Sequence, residues 1–260
     1  MFGVVFLRKG LQMKSKIAES IKLKGHPVAV ILSDQEPDDG IQFKENIWGC
    51  VASMLSASAS KGKTAFFDRK TYGCVGGGVG LGFGNTYEGF PIEHLLSNGQ
   101  KESVDGTRRT RKLAEGEHYI KTPELAKKFV ECLPMRNVKE NFVIFKPLDM
   151  VKDEKPVSVV FFVNPDQLSA LVVLSNYGRE KRDNVIAPWG AACQSVLFSY
   201  SEGEKEQPRA IIGFFDLAAR KHVDKNILSF TIPYKMFLEM EGNVEGSFLE
   251  KEEWKELRVR

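Results

Sequence analysis

The apolar positions of this chain fall into short runs separated by polar turns, and their spacing alternates between strand and helix periods. Val28-Ala29-Val30-Ile31-Leu32, introduced by His26-Pro27, is a branched apolar run ended by a polar stretch over 33–39, the pattern of a buried strand. Residues 46–60 carry Ile47, Val51, Met54, Leu55 and Ser58 at helical spacing, and Lys61-Gly62-Lys63 supplies a stop. Thr64-Ala65-Phe66-Phe67 predicts a second strand. This is a β-α-β passage whose strand directions the sequence leaves open. Residues 122–133 predict a helix capped by Thr122, with Pro123 in its first turn. Its apolar face is Leu125, Phe129, Val130 and Leu133, with Cys132 on the core side. Asn141–Phe145 reads as a strand ended by Pro147, Leu228–Ile232 as another, and the residues after Pro233 as a helix.

Landmarks of the first passage recur in order in the second half. Pro156-Val157-Ser158-Val159-Val160-Phe161 echoes the strand at Pro27, Trp189-Gly190-Ala191-Ala192-Cys193 echoes Trp48-Gly49-Cys50, and Phe214-Phe215-Asp216 echoes Phe66-Phe67-Asp68. The order suggests an internal duplication, with residues 166–187 as extra material in the second half. The expected fold is α/β, with α+β as the alternative. It is a single compact unit over 13–260, with related halves at about 13–96 and 140–240 joined by a polar and helical segment. Residues 1–12 read as an extended leader, with Met13 the more natural start. Their apolar run precedes its positive charges, the wrong order for a secretory signal, and is too short to span a bilayer.

Charge narrows the partners. Thirty-seven Lys and Arg against thirty-four Asp and Glu leave a formal net charge of +3, no global electrostatic case for nucleic acid or an anionic membrane. The basic cluster Arg108, Arg109, Arg111 and Lys112 reads as a solvated helix face. The expected compartment is the cytoplasm, where Cys50, Cys74, Cys132 and Cys193 would be reduced thiols or metal ligands.

The densest candidate chemistry lies in Cys74-Val75-Gly76-Gly77-Gly78-Val79-Gly80-Leu81-Gly82-Phe83-Gly84. No register gives the dinucleotide fingerprint G-x-G-x-x-G, and Gly62-Lys63-Thr64 lacks the earlier glycine of a phosphate-binding loop. The exposed amides of a loop at Gly76, Gly77, Gly78 and Gly80 would still cradle an anion, with Arg220 as its anchor; close packing of the segment is the competing explanation. Superposing the halves on Asp68 and Asp216 matches Cys50 with Cys193 and sets Cys74 opposite His222. Cys50, Cys74 and Cys193 would then form a soft-ligand site for zinc or an iron–sulfur cluster, in a redox or cofactor-related role. The sequence does not decide whether His222 joins. A third alternative is a thiol-dependent enzyme with Cys74 as nucleophile. The expected partner is a small molecule or metal cofactor, with the ligand, reaction and oligomeric state left open.

These residues resemble an uncharacterised family, domain-of-unknown-function family 169, known mainly from archaea and anaerobic bacteria. The resemblance runs from about Ile17 to Phe237. It rests on Pro27-Val28-Ala29-Val30, the Cys50 helix with Gly62-Lys63, Cys74-Val75-Gly76-Gly77 through Phe83, Asn164-Pro165-Asp166-Gln167, Cys193, and Gly213 through Arg220. It implies cysteines at positions matching Cys50, Cys74 and Cys193, without a clear histidine at His222, and an anaerobic cytoplasm. It carries no established activity.

Overall fold

The computed structural model describes residues 13–101 and 108–257; the leader over 1–12 lies outside the described residues. Seven strands form one sheet: β1 (Val28–Ser33), β2 (Ala65–Phe67), β3 (Phe142–Pro147), β4 (Pro156–Val163), β5 (Val185–Ile186), β6 (Ala210–Gly213) and β7 (Leu228–Pro233). The helices are α1 (Lys16–Ser20), α2 (Val51–Lys61), α3 (Val75–Leu81), α4 (Ile92–Leu96), α5 (Arg108–Glu115), α6 (Pro123–Glu131), α7 (Pro165–Asn176), α8 (Gln194–Gly203), α9 (Tyr234–Gly242) and α10 (Glu252–Leu257). The fold is therefore mixed α/β, as the alternating apolar periods indicate. Among the described residues no helix is long and apolar enough to cross a membrane.

The strand order is β2-β3-β1-β4-β7-β6-β5. Antiparallel β1 and β4 form the centre, with Val28 opposite Val160. On one side β3 lies antiparallel to both β1 and β2, so β1 and β2 run parallel with β3 between them. On the other side β7 lies antiparallel to both β4 and β6, so β4 and β6 run parallel in the same manner. Each half is thus a β-α-β crossover split by a later strand. The second half differs by α7 and by β5, which adds in parallel outside β6.

Both sheet faces are covered, which is why the strands read as nearly continuous apolar runs. Alternate residues enter separate cores: Val28, Val30, Phe67, Phe145 and Val160 pack under α2, α3 and α8, whereas Ala29, Ile31, Phe161, Phe230 and Ile232 pack under α1, α7, α9 and α10. Asn164 and Gln167 close α7 with a reciprocal capping box, satisfying two amides that a helix start leaves open.

Several boundaries differ from the sequence reading. The helix expected over 46–60 begins at Val51, with Asn46 at φ 61° in the approach; Ile47 is 55% exposed rather than part of the buried face. Thr122 does cap α6 through the amide of Leu125, but Leu125 is exposed and Ala126 is buried instead. Cys132 is also exposed rather than core, because it comes after the last turn at the C-cap.

Candidate functional site: a cluster of buried thiols

Three helix starts meet on one sheet face, and each N-cap residue is a cysteine: Cys50 before α2, Cys74 before α3 and Cys193 before α8. Gly73, held at φ 77°, helps join the first two, since a Cβ there would stand 2.7 Å from the carbonyl oxygen of Gly49. Cys74 Sγ accepts a hydrogen bond from the amide of Gly77 at 3.2 Å. Cys193 Sγ donates to the carbonyl of Gly76 at 3.3 Å. The two sulfurs therefore bracket a single peptide group.

The glycine-rich stretch is not the loop that an anion cradle requires. It is the helix α3, and its glycines answer to close packing. A Cβ on Gly77 would stand 2.5 Å from the Tyr72 carbonyl oxygen, one on Gly78 2.5 Å from Thr86 Oγ1, and one on Gly80 2.7 Å from Cys193 Sγ. Real Cβ atoms do not approach so closely, so the small residues let α8 and the 86–87 segment press onto α3. Gly76 is the exception: the nearest atom to a Cβ there is Tyr87 Oη at 3.6 Å. The Gly77 amide is already spent on Cys74, and that of Gly78 on the Cys74 carbonyl.

Arg220, the expected anion anchor, donates to the backbone carbonyls of Ile227, Asp224 and Lys225. Its guanidinium closes its own loop. His222 contributes its carbonyl to Ser56 Oγ at 2.6 Å, while its buried Nε2 has no hydrogen-bond partner among the described residues and burial lowers its pKa.

Electrostatics tie the thiols together. Burial pushes Cys74 up to about 11; the Gly77 amide opposes the shift, and Cys50 adds to it by repulsion. Burial likewise raises Cys193 well above its ordinary value, with repulsion from Cys74 and Cys50 contributing, and raises Cys50. The ionised forms of all three are further disfavoured by Asp216, whose own pKa burial raises. Asp216 Oδ1 accepts from the Ala218 amide at 2.9 Å. The carboxylate lies two residues after Phe214, a buried residue held at φ 69°, a left-handed conformation that costs an ordinary side chain about 1–3 kcal/mol. Buried Tyr87, whose hydroxyl accepts from Gln194 at 3.0 Å, is also raised by burial and by Cys193 and Cys74. On the Asp216 side, Tyr119 packs edge-on against Trp189 and is pushed up to about 12 by burial, with Glu117 and Asp216 adding repulsion.

Sequence reasoning thus named the three cysteines and weighed Asp216 against a turn role, but did not bring Tyr87 and Gln194 to them. Asp216 carried a signal in the repeated Phe-Phe-Asp landmark, though turn formation explains an aspartate there equally well. Tyr87 and Gln194 carried none. Burial thus disfavours ionisation of all three thiols. Among the described residues no three His, Cys, Asp or Glu side chains are placed to hold a metal ion. The Gly76–Gly77 peptide gives part of the reason. Two sulfurs on one zinc, each about 2.3 Å from it, need a mutual approach closer than two contacts with opposite ends of a peptide group allow.

Fold and site together define a mixed α/β protein with a partly buried thiol cluster at converging helix starts. Residues 16–243 match the family model of domain-of-unknown-function family 169, described as "Uncharacterised ArCR", and the chain belongs to that family. No curated protein and no solved structure matches it significantly.

Proposed function

We propose that the protein binds a thiophilic cofactor through Cys50, Cys74 and Cys193, and that an iron–sulfur cluster suits the site better than a single zinc ion. The observation that carries this reading is the convergence of three thiols and the Asp216 carboxyl, close enough for each thiol to be raised by Asp216. Thiols whose ionisation burial disfavours would release their protons to a bound cation, and this deprotonation would make binding pH-dependent. With both thiols protonated, the Gly76–Gly77 peptide lies between Cys74 and Cys193, and a polynuclear cluster spans wider sulfur separations than one zinc. Three cysteines leave a fourth position open, which Asp216 or an outside ligand would take. The corresponding role is redox or cofactor-related chemistry in a reducing compartment.

The matched strand order of the two halves, with Cys50 and Cys193 at equivalent helix starts, supports a duplicated origin for the site. The other readings receive less support. A nucleophilic Cys74 needs a lowered pKa or an adjacent base, and its surroundings raise it. An anion cradle needs amides that α3 has already used.

Anaerobic purification, with iron and acid-labile sulfide analysis of the product, tests the proposal. The expected result is stoichiometric iron and sulfide with a visible absorption band, lost in Cys50→Ser, Cys74→Ser and Cys193→Ser variants that still fold. A folded wild-type protein that takes up neither iron nor zinc after anaerobic reconstitution overturns it.

A further inference from the structure

A cavity of about 750 Å³ lies at the other end of α8 from Cys193, lined by residues of the 136–140 segment, the start of β4, the end of α8 and the first turns of α9. That volume is in the range of small-molecule sites, roughly 300–1,000 Å³. Its walls are largely apolar, including Leu32, Val138, Val157, Tyr200 and Leu238. The Tyr200 hydroxyl is turned away to the Leu81 carbonyl at 3.1 Å, and Ser199 Oγ donates to the Val196 carbonyl at 2.7 Å. The charged residues remain for polar recognition, together with the Asn137 amide and the Tyr234 hydroxyl.

Those charges are unbalanced. Arg136, Lys139, Lys155 and Lys235 line the cavity against two carboxylates, Glu140 and Glu204. Arg136 is paired with Glu204, and Lys235 Nζ donates to the Glu206 carbonyl. Lys139 and Lys155 form no ion pair or side-chain hydrogen bond among the described residues, although both line the cavity. The β4–β7 register sets Ser158 opposite Pro233, so Lys155 lies across from the start of α9. That helix begins at Tyr234, and its N-cap Pro233 gives no side-chain cap, leaving its first-turn amides without that partner at the same edge.

The back wall is held firmly. The Val138 amide donates to the Gly82 carbonyl and the Gly84 amide to the Arg136 carbonyl. The Arg69 guanidinium ties down Asn137 Oδ1 and the Val138 carbonyl. Gly82, at φ 88°, admits the Tyr200 ring to 2.9 Å and Val138 Cγ1 to 3.1 Å of where its Cβ would stand. The end of the glycine helix thus preorganises this cavity, while its start carries Cys74.

We propose that this cavity is a second ligand site, separate from the thiols, which takes an organic anion with an apolar or aromatic body. The body packs between Val138, Tyr200 and Leu238, and the anionic group is held by Lys139 and Lys155. The inference stands independently of the cofactor proposal.

Calorimetric titration of the full chain with 1-naphthyl phosphate, 1-naphthol and inorganic phosphate tests it. The expected result is one saturable site for 1-naphthyl phosphate, with 1-naphthol and inorganic phosphate each weaker by about tenfold or more. Lys139→Glu combined with Lys155→Glu should weaken 1-naphthyl phosphate by about tenfold or more, and Leu238→Trp should block it by filling the cavity. Cys74→Ser should leave binding unchanged, which separates this site from the thiol cluster. Thermal melts establish that each variant folds, and the double Lys→Gln variant carries the test where charge reversal disrupts the fold. Equal binding of 1-naphthol, unchanged affinity in the folded double-lysine variant, or no saturable binding of 1-naphthyl phosphate at millimolar concentration overturns the proposal.

Discussion

Asp68 and Asp216 hold matching places in the two halves of the sheet, just beyond β2 and β6, yet only Asp216 stands among the thiols. Asp68 is consumed locally: its Oδ1 accepts from the Lys70 amide at 2.7 Å and its Oδ2 from Gln42 Nε2 at 3.2 Å. Asp216 accepts a turn bond from the Ala218 amide, follows a strained Phe214, and has its pKa raised by burial. The difference comes from the path the chain takes on leaving each strand. After Asp68 it turns into α3 and delivers Cys74; after Asp216 it closes a short loop over the start of α2. Equivalent topology places a residue, whereas burial and local hydrogen bonds decide what its carboxyl can do.

The largest expected effect breaks the packing that joins the halves at α3 and α8. Gly80→Val drives a side chain into Cys193 and should cost about 3 kcal/mol or more in urea denaturation. Gly203→Ala, at the end of α8 with only Pro233 Cβ at 3.7 Å, should be neutral or gain about 0.5–1 kcal/mol. Equal costs would show that α3 and α8 are not pressed together.

Thiol reactivity provides the next test. With Cys74 pushed up to about 11, its thiolate fraction at pH 7.5 is more than about a hundredfold below that of an ordinary thiol. Alkylation read out by mass spectrometry should modify exposed Cys132 first, then Cys74, and buried Cys193 last, with the Cys74 rate climbing toward pH 11. Asp216→Asn removes a repelling charge and should accelerate Cys74 several-fold at fixed pH; Asp68→Ala should not.

The smallest effect concerns stability against pH. The folded state prefers protonated Asp216, so its contribution is full below the unfolded carboxylate pKa and is lost as pH rises through the raised folded value. Asp216→Asn should therefore become more stable relative to wild type between pH 4 and 8. Asp68→Ala should lose about 1 kcal/mol with its two hydrogen bonds. Denaturation midpoints at several pH values give both signs, and a common sign would erase the contrast between the carboxylates.

Much of the fold was legible because local physics expresses it in sequence. Strands buried on both faces must be apolar at consecutive positions, as in Val28–Leu32, and Thr122-Pro123 marks a helix start with a side chain suited to the freed amides. The glycine stretch misled for an equally physical reason. Glycine disfavours an isolated helix by roughly 1 kcal/mol per residue, so local propensity favours a loop, and only the close approach of Thr86, Tyr72 and Cys193 explains why α3 is glycine-rich. Ile47 and Leu125 fit a helical period yet face solvent, since periodicity does not state where a helix begins or how much of its face is covered. The three cysteines were found through the repeat, whereas Tyr87 and Gln194 join them through packing that no spacing encodes.

By itself the sequence determined the alternation of strands and helices, the order of the repeated landmarks and the cysteines that merit chemical attention. These arise from burial periods, caps and turns acting over a few residues. The tertiary structure alone decided that β3 and β7 split their crossovers, that three helix starts converge, and that a peptide group lies between two sulfurs. It also placed Lys139 and Lys155 at one cavity. Such juxtapositions join residues far apart in the chain, and their energies depend on distance, burial and neighbouring charge, none of which exists until the chain has packed.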